Sequence, residues 1–242
     1  MLSDELRTRL YRTYGAWKDW DDAKDGGDTK DSHRFDGVFE IECRRGRLTA
    51  AACVLEIGFG EGRFLNWCSD AGHRTWGIEA IPELVERARA KGHEVILSDG
   101  NPPLLLVDRK FDLIAAFDVF EHFTIQQLYD WLVWMRSHLM PDGRIVARFP
   151  NGASPFGRVY QSGDLTHQLT LCATSIDQLA RLAGLRVVAA HNAARGLGGR
   201  RARLTKRLAY MTRDLIEVFL SQVYYGRHVL LDPAVTVIIG PC

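Results

Sequence analysis

One short segment, from Val54 to Arg63, constrains the fold of this chain more than any other. An apolar run, Val-Leu-Glu-Ile, leads into glycines at positions 58, 60 and 62 and then into a segment with helical character. Glycine tolerates positive φ and lets backbone N–H groups approach a ligand without a Cβ in the way. The pattern therefore predicts a strand, a tight ligand-binding turn and a helix, which together open a doubly wound α/β fold.

The spacing of the glycines indicates which ligand the turn binds. A dinucleotide site has the pattern G-x-G-x-x-G, with a pyrophosphate on the helix N-terminus, whereas here the third glycine comes one residue early and Arg63 takes its usual place. Glu56 precedes the first glycine, where its charge would repel a pyrophosphate but attract an ammonium and a sulfonium. The turn thus favours S-adenosylmethionine, giving S-adenosylhomocysteine as product. The expected contacts here are Glu56, Gly58, Phe59, Gly60 and Gly62.

Further strands follow in the order that a doubly wound sheet requires. Pro82 suits the first turn of one intervening helix, and Thr124 precedes another whose apolar residues recur at helical spacing. We expect a parallel sheet that binds its ligand at the carboxyl ends of the strands. The four further strands are predicted at 74–80, 93–99, 111–118 and 144–149.

Acidic residues end three of these strands. Glu79, twenty-three residues after Glu56, is placed to accept both ribose hydroxyls of the cofactor. Asp99 is placed to accept a hydrogen bond from the adenine amino group. The expected cofactor contacts at the strand ends are Glu79, Ala80, Asp99, Gly100, Asp118 and Val119.

This succession of motifs resembles the class I S-adenosylmethionine-dependent methyltransferases. The resemblance covers roughly residues 35–185, through LEIGFGEG, GIEAIP, LSDG, FDLIAAFDVFEHF and LMPDGRIVARFPN. The DVFEHF ending is similar to the group that includes the ubiquinone-biosynthesis O-methyltransferases. The later PNGASPFG, GDLTH and SIDQLARLAGL segments resemble methyltransferases of bacterial surface-polysaccharide clusters. The resemblance implies a Rossmann-like, seven-stranded, mostly parallel sheet and O-methylation of a sugar hydroxyl in glycan or polysaccharide biosynthesis.

Two segments add to this common core. Residues 1–34 are predicted to form a helix and an acidic linker, and the resemblance suggests a lid, since an N-terminal helix often caps the cofactor pocket in the wider superfamily. Aromatic residues recur along this helix at helical spacing, although simple packing explains them equally well. Residues 35–242 form the predicted methyltransferase domain. A helical insertion at about 195–228 precedes its last strand and is expected to form a substrate lid or a dimer face.

The start of the insertion is strongly basic. Residues 195–207 contain six arginines and lysines and no acidic residue. Such a segment suits the phosphate of a nucleotide sugar or lipid diphosphate, or an anionic membrane surface. A solvated loop beside a helix is an equally good interpretation. We therefore expect a small-molecule or glycan acceptor, with phosphate recognition, peripheral membrane contact and oligomeric state left open.

Methyl transfer to a hydroxyl requires alignment of the reactants and removal of a proton. His122, four residues after Asp118, is the first candidate for the base, and its alternative role is to shape the cofactor pocket. His167 is the second candidate, with Asp164 placed to orient its ring; its alternative is a loop histidine bonded to backbone. The sequence does not choose between the two histidines.

Other features limit the functional classes. The chain has 242 residues, a net charge of +1 and no run of eighteen apolar residues, and its first residues lack signal-peptide character, so we expect a cytoplasmic protein. Its five cysteines have no C-x-x-C spacing, which indicates reduced thiols and no metal. No nucleic-acid substrate is expected, because the N/D-P-P-Y/F/W pattern is missing. The alternatives are a quinone or natural-product O- or N-methyltransferase and a non-catalytic cofactor-binding scaffold.

Overall fold

Seven strands form one mixed sheet in the computed structural model, which describes residues 4–18, 20, 29–104, 109–196 and 203–242. The strands are β1 (Cys53–Ile57), β2 (Arg74–Glu79), β3 (Glu94–Leu97), β4 (Phe111–Phe117), β5 (Leu139–Pro150), β6 (Leu185–Asn192) and β7 (Ala234–Pro241). Their order across the sheet is β3-β2-β1-β4-β5-β7-β6. Strands β1 to β5 are parallel, whereas β7 runs antiparallel to both β5 and β6. The predicted Rossmann-like, mostly parallel, seven-stranded sheet is confirmed.

Helices follow the strands in the alternating order that parallel connections require. The helices are α1 (Asp4–Arg12), α2 (Tyr14–Trp17), α3 (Thr29–Arg45), α4 (Arg63–Asp70), α5 (Pro82–Ala90), α6 (Ile125–His138), α7 (Arg158–Gly163), α8 (Ala173–Leu182) and α9 (Arg203–Tyr225). The predicted start of α5 at Pro82 is confirmed, and Thr124 caps α6 through a reciprocal hydrogen-bond pair with Gln127. Helix α9 lies between β6 and β7, as the predicted insertion requires.

Two apolar cores cover the two faces of the sheet. Alternate residues of β1 point to opposite faces, so that Leu55 and Ile57 belong to one core and Val54 to the other. The first core includes buried residues of α6 and α8, and the second includes residues of α3 and α4. Because β4 is covered on both sides, its sequence is nearly all apolar.

Three boundaries differ from the sequence predictions. Strand β5 begins at Leu139 rather than at 144, because its first residues stay extended beside β4 through a register irregularity. The predicted N-terminal helix is two helices, separated at Thr13, whose hydroxyl bonds the carbonyl of Leu10. The predicted boundary at residues 34 and 35 falls inside α3, which begins at Thr29. Most of the predicted acidic linker, at 21–28, lies outside the described residues.

Candidate active site

A cleft of about 1080 Å³ lies at the carboxyl ends of β1, β2, β3 and β4. Its wall consists of the glycine turn, the residues that end these strands, and side chains of the N-terminal segment. The predicted cofactor residues that line it are Glu56, Gly58, Phe59, Gly60, Glu79, Ala80, Asp99, Gly100, Asp118 and Val119. Gly62 is the exception among the predicted contacts, since it lies at the start of α4 and borders a separate small cavity.

The glycine turn has the backbone that its sequence predicts. Glycines 58, 60 and 62 have φ values of 67°, 54° and 73°, a region that residues with a Cβ rarely adopt. A Cβ at Gly58 would lie 2.5 Å from Val119 Cγ2. The turn therefore needs glycine both for its conformation and for its close contact with the loop after β4.

Glu79 organises the same turn through its carboxylate. Its Oε2 accepts a hydrogen bond from Gly60 N at 2.9 Å, and its Oε1 accepts from Ala80 N at 2.7 Å and from Ile81 N at 3.1 Å. Burial raises the pKa of Glu79, and these three N–H donors oppose that rise. Glu79 thus connects the ends of β1 and β2, in addition to the ribose contact expected of it.

Glu56 is a buried carboxylate with an unsatisfied oxygen. The residue is 4% exposed, and Oε2 has no hydrogen-bond partner among the described residues. Burial, and then the nearby charge of Glu79, raise the pKa of Glu56. A cation placed against this oxygen would stabilise the ionised form. The ammonium and sulfonium of S-adenosylmethionine meet that requirement, so the residues present fit this cofactor.

Two of the expected cofactor contacts also bond within the protein. Asp99 Oδ1 accepts hydrogen bonds of 3.1 Å from both the backbone and the side-chain nitrogen of Asn101. Asp118 has a φ of 59°, and both of its carboxylate oxygens pair with the guanidinium of Arg148. Arg148, on β5, also lines the cleft. The sequence analysis overlooked it, because nothing in its local pattern distinguishes it from other strand residues.

His122 connects to Asp164 through the hydroxyl of Thr166. Thr166 Oγ1 lies 2.9 Å from His122 Nδ1 and 2.5 Å from Asp164 Oδ1. The other oxygen of Asp164 accepts a 2.7 Å hydrogen bond from the hydroxyl of Tyr14. Burial alone would raise the pKa of Asp164, but these hydrogen bonds lower it to about 2. Asp164 is therefore ionised across the neutral pH range.

These hydrogen bonds fix the tautomer of His122. Ionised Asp164 cannot donate, so Thr166 gives it its single hydroxyl proton, and Thr166 Oγ1 then accepts from Nδ1–H of His122. Nε2 is left as the unprotonated ring nitrogen. Burial and then the charge of His167 lower the pKa of His122 to about 4. The ring lines the cleft and is neutral at pH 7, so that it can accept a proton there.

His167 lies behind His122 and is not among the residues that line the cleft. Its Nδ1 lies 3.1 Å from the carbonyl oxygen of Gln161, and its ring packs edge-on against His122 with centroids 4.7 Å apart. Asp164 Oδ2 is 3.9 Å from His167 Nε2, a longer separation than its hydrogen bonds to Thr166 and Tyr14. Asp164, expected to orient His167, is therefore bonded instead into the chain that reaches His122.

The N-terminal segment forms one wall of the cleft. Tyr11 and Tyr14 line it, and their rings lie tilted and edge-on to the ring of His122. Trp20 lies over Gly60, where an added Cβ would be 3.3 Å from the indole ring. Lys18 Nζ lies 3.4 Å from Asp164 Oδ2. The aromatic spacing of this segment was visible in the sequence, whereas its contact with Asp164 was not.

Glu121, His122 and His167 form a compact group whose potential metal ligand atoms lie within 4.8 Å of one another. Burial, and then the charge of Asp118, raise the pKa of Glu121 well above its usual range. Nδ1 of each histidine already bonds a protein oxygen. The expectation of a site without metal stays a prediction.

The basic segment of the insertion is not part of the cleft wall, as far as the described residues extend. Arg195 pairs with Asp232 and Asp214 through bonds of 2.7 and 2.8 Å, so it does not offer the phosphate contact that its sequence context suggested. Lys206 and Arg207 do not line the cleft either. Residues 197–202 lie outside the described residues.

A model of a protein family described as a methyltransferase domain matches residues 33–190. This chain belongs to that methyltransferase family. Family and fold together imply S-adenosylmethionine as the cofactor of the methyltransferase, in agreement with the glycine turn and the unsatisfied oxygen of Glu56.

One curated relative of the methyltransferase shares low identity with it. An uncharacterized methyltransferase of Alkaliphilus oremlandii (strain OhILAs) is 25% identical over 113 residues, which cover 47% of this chain and 52% of the relative. The match thus spans about half the length of that curated relative.

Two solved structures are similar over nearly their whole length. One is a chain from the complex between the Haloferax volcanii Trm112 methyltransferase activator and a methyltransferase, with a TM-score of 0.61, 16% identity, and coverage of 100% of this chain and 99% of that one. The other is an S-adenosylmethionine-dependent methyltransferase from Clostridium acetobutylicum ATCC 824, with a TM-score of 0.60, 12% identity, and coverage of 96% and 99%. At these identities the likeness describes the fold alone.

Proposed function

We propose that this methyltransferase moves the methyl group of S-adenosylmethionine to a hydroxyl group, and that the acceptor is a sugar in bacterial glycan or polysaccharide biosynthesis. The observation that carries the hydroxyl assignment is the chain from Asp164 through Thr166 to His122, which ends on a neutral imidazole at the cleft. Methylation of a hydroxyl requires such a base to remove the proton. Methylation of a stronger nucleophile requires only its alignment with the methyl group.

In this proposal Glu56 and the glycine turn hold the aminoalkyl end of the cofactor, Glu79 holds the ribose and Asp99 the adenine. When bound, S-adenosylmethionine supplies an electrophilic methyl group on a sulfonium, which is a good leaving group. The lowered pKa of His122 keeps its ring uncharged at neutral pH. The residues of the chain therefore orient the cofactor and the acceptor and keep His122 in its unprotonated form.

The proposed reaction balances in atoms and charge. The acceptor oxygen forms a bond to the methyl carbon as the carbon–sulfur bond breaks, and the hydroxyl proton passes to His122 Nε2. The positive charge that sulfur loses appears on the imidazole, where Nδ1–H already faces Thr166 and, through it, ionised Asp164. The charge of Asp164 thus partly offsets the burial and the charge of His167, which disfavour the imidazolium.

Cations at the cleft support a polar acceptor that carries phosphate. Arg7 and Arg12 of the N-terminal segment line it, and so do Lys18 and Arg148, although those two also pair with Asp164 and Asp118. Guanidinium groups bind phosphate oxygens in paired hydrogen bonds. In the proposal, a nucleotide sugar or a sugar phosphate supplies the hydroxyl, and residues 1–34 act as a lid that completes its site.

A second candidate is an O- or N-methyltransferase of a quinone or natural product. Aromatic side chains favour it, because Tyr11, Tyr14 and Trp20 line the same cleft and suit a flat ring. A third, from another class, is a scaffold that binds the cofactor without turnover. A scaffold of this kind needs no base at the cofactor site, and the position of His122 along the cleft speaks against it.

The test is methyl transfer from labelled S-adenosylmethionine to a panel of nucleotide sugars, sugar phosphates, free glycans, phenols and amines. We expect a sugar acceptor to take the label and His122→Asn to reduce turnover by about 10²–10⁴-fold, the usual contribution of a general base. His167→Asn is the matched control and should retain more activity. Methylation of a phenol but of no sugar would overturn the glycan assignment and favour the second candidate.

Cellular location is part of the proposal as well. None of the helices in the described part of the chain is both long enough and apolar enough to cross a membrane. We propose that the methyltransferase acts in the cytoplasm, where nucleotide sugars are made. Protease protection in intact and lysed cells that express the full chain, with a cytoplasmic marker, tests this whether the protein is free or bound to the inner face of the membrane.

A further inference from the structure

Helix α9 has its amphipathic sides reversed relative to an ordinary surface helix. Such a helix buries its apolar stripe and exposes its polar side. In α9 the buried residues are Glu217 and Ser221, whereas large apolar side chains point outward. The apolar face of α9 consists of Leu204, Leu208, Met211, Leu215, Val218 and Phe219, which are 56–71% exposed.

Polar bonds hold the opposite side of the helix on the domain. Glu217 accepts hydrogen bonds from Asn192 Nδ2 at 2.8 and 3.0 Å and from Leu231 N at 2.8 Å, and it pairs with His228 at 3.0 Å. Ser221 exchanges two hydrogen bonds with the backbone of Val229. These contacts fix which side of α9 faces the sheet, so the exposure of the apolar face follows from the fold.

A second polar group holds the middle of the helix. Arg213 Nε lies 2.7 Å from Asp232 Oδ1, and Arg195 bridges Asp232 and Asp214. Both acidic residues of α9, Asp214 and Glu217, are therefore paired with groups of the domain. Among the described side chains of α9, the unpaired outward charge is thus basic and comes from the exposed Arg207, whereas Lys206 is part-buried on the side of Glu217, three turns away.

The apolar face is continuous and wide enough to need a cover. At 3.6 residues per turn its six side chains fall within an arc of about 100°, and from Leu204 to Phe219 they extend over roughly 22 Å. Contiguous apolar patches of this kind mark protein or membrane contact sites. Tyr224 and Tyr225 continue the helix at 75% and 51% exposure, and such rings settle where an apolar layer meets water.

The charges around the face decide between two occupants. A second copy, packed in either direction, would bring the basic start of α9 against the same basic segment or against Arg227 at the other end. Like charges at a contact oppose that pairing. An anionic lipid surface instead attracts these cations and accepts the apolar side chains between its headgroups.

We propose that α9 lies in the interface of an anionic membrane, with its apolar face inserted and its polar side on the domain. The helix lies along the surface and does not cross it, as an interfacial helix of this pattern does. In this proposal the insertion docks the methyltransferase on the membrane. It is separate from the cleft, since the apolar face of α9 shares no residue with the cleft wall.

The test is sedimentation of the full-length protein with vesicles of phosphatidylcholine alone or with 30% phosphatidylglycerol. We expect binding to the anionic vesicles, weakened by salt. The double variant Leu215→Gln, Phe219→Gln should reduce the partition coefficient at least about tenfold. The variant Arg207→Gln, Arg227→Gln, at two exposed arginines, should remove most of the salt dependence. Leu182→Gln, at a 69% exposed leucine of α8, is the matched control and should bind like the parent.

Thermal unfolding of each variant checks that the fold is kept, and light scattering gives the oligomeric state. Parent protein that stays in the supernatant with every vesicle overturns the proposal. A parent dimer that becomes monomeric in the Leu215→Gln, Phe219→Gln variant, without vesicle binding, also overturns it and assigns the apolar face to a second copy.

Discussion

Tyr14 donates a 2.7 Å hydrogen bond to Asp164 across a sequence separation of 150 residues. The bond joins the N-terminal segment to the loop that carries Thr166, so that the wall of the cleft and the base share one carboxylate. Asp164, with its lowered pKa, thereby stabilises both the position of α2 and the tautomer of His122. The position of the N-terminal wall and the tautomer of His122 are thus expected to depend on each other.

Tyr14→Phe tests this dependence, since it removes the hydroxyl and keeps the ring. A hydrogen bond to an ionised group contributes roughly 1.5–3 kcal/mol, so we expect the affinity for S-adenosylhomocysteine to fall by about tenfold and the N-terminal segment to be cleaved faster by protease. Calorimetric titration and limited proteolysis measure the two effects. Tyr160→Phe, at an exposed tyrosine, should change neither, and an unchanged affinity in Tyr14→Phe would contradict the role given to this bond.

The pH dependence of the reaction tests the base. Because the pKa of His122 is lowered to about 4, kcat/KM should stay constant as the pH falls from 8 to 5 and decline only near 4. An acidic limb near 6.5, the ordinary value for histidine, would mean that another group or another state of His122 limits the rate.

Thr166→Val tests the link between His122 and Asp164. Valine keeps the shape of threonine but leaves Nδ1–H of His122 without its acceptor, so the imidazolium formed during the reaction is less stable. We expect kcat to fall by about 10–100-fold with little change in cofactor affinity. Thr170→Val, at an exposed threonine of the same loop, is the control. Equal losses in both variants would point to a general disturbance of the loop.

Local patterns in the sequence predicted the cofactor half of the site. The positive φ of Gly58 and Gly60 and the carboxylates of Glu56 and Glu79 follow from strand ends and turns, which short segments specify. The hydrogen bond between Tyr14 and Asp164 depends on two loops that no periodicity connects. The sequence also did not show which side of α9 faces the domain. An apolar stripe predicts a helix face, but it does not tell whether that face packs on the protein or is exposed.

Glu56→Gln is expected to have opposite effects on stability and on binding. Burial raises the pKa of Glu56 in the folded protein. The free energy of unfolding therefore falls as the pH rises above the pKa that Glu56 has in the unfolded chain, and glutamine, which does not ionise, avoids this loss. We expect a higher Tm without cofactor, by roughly 2–4 °C per kcal/mol in a domain of this size, increasing with pH. Affinity for S-adenosylmethionine should fall, because no carboxylate meets its cationic groups. A lower Tm would contradict this account.

Glu79→Gln is the contrasting substitution at the neighbouring carboxylate. Glutamine has one acceptor oxygen, whereas Gly60, Ala80 and Ile81 donate to both oxygens of Glu79. We expect both Tm and cofactor affinity to fall, since the glycine turn loses part of its support. Thermal unfolding with and without S-adenosylhomocysteine separates the two variants, and a Glu79→Gln protein as stable as the parent would assign the carboxylate to the ligand alone.

Metal dependence is the remaining question about the group formed by Glu121, His122 and His167. We expect EDTA to leave turnover unchanged, because burial, and then the charge of Asp118, raise the pKa of Glu121 and favour its neutral form, which is a poor metal ligand. Glu121→Gln, which resembles that neutral carboxyl group, should retain most of the activity. A different result would be turnover that is lost in EDTA, is restored by a divalent cation, and is not restored in Glu121→Gln. It would show that these three residues hold a metal and that His122 is a ligand instead of a base.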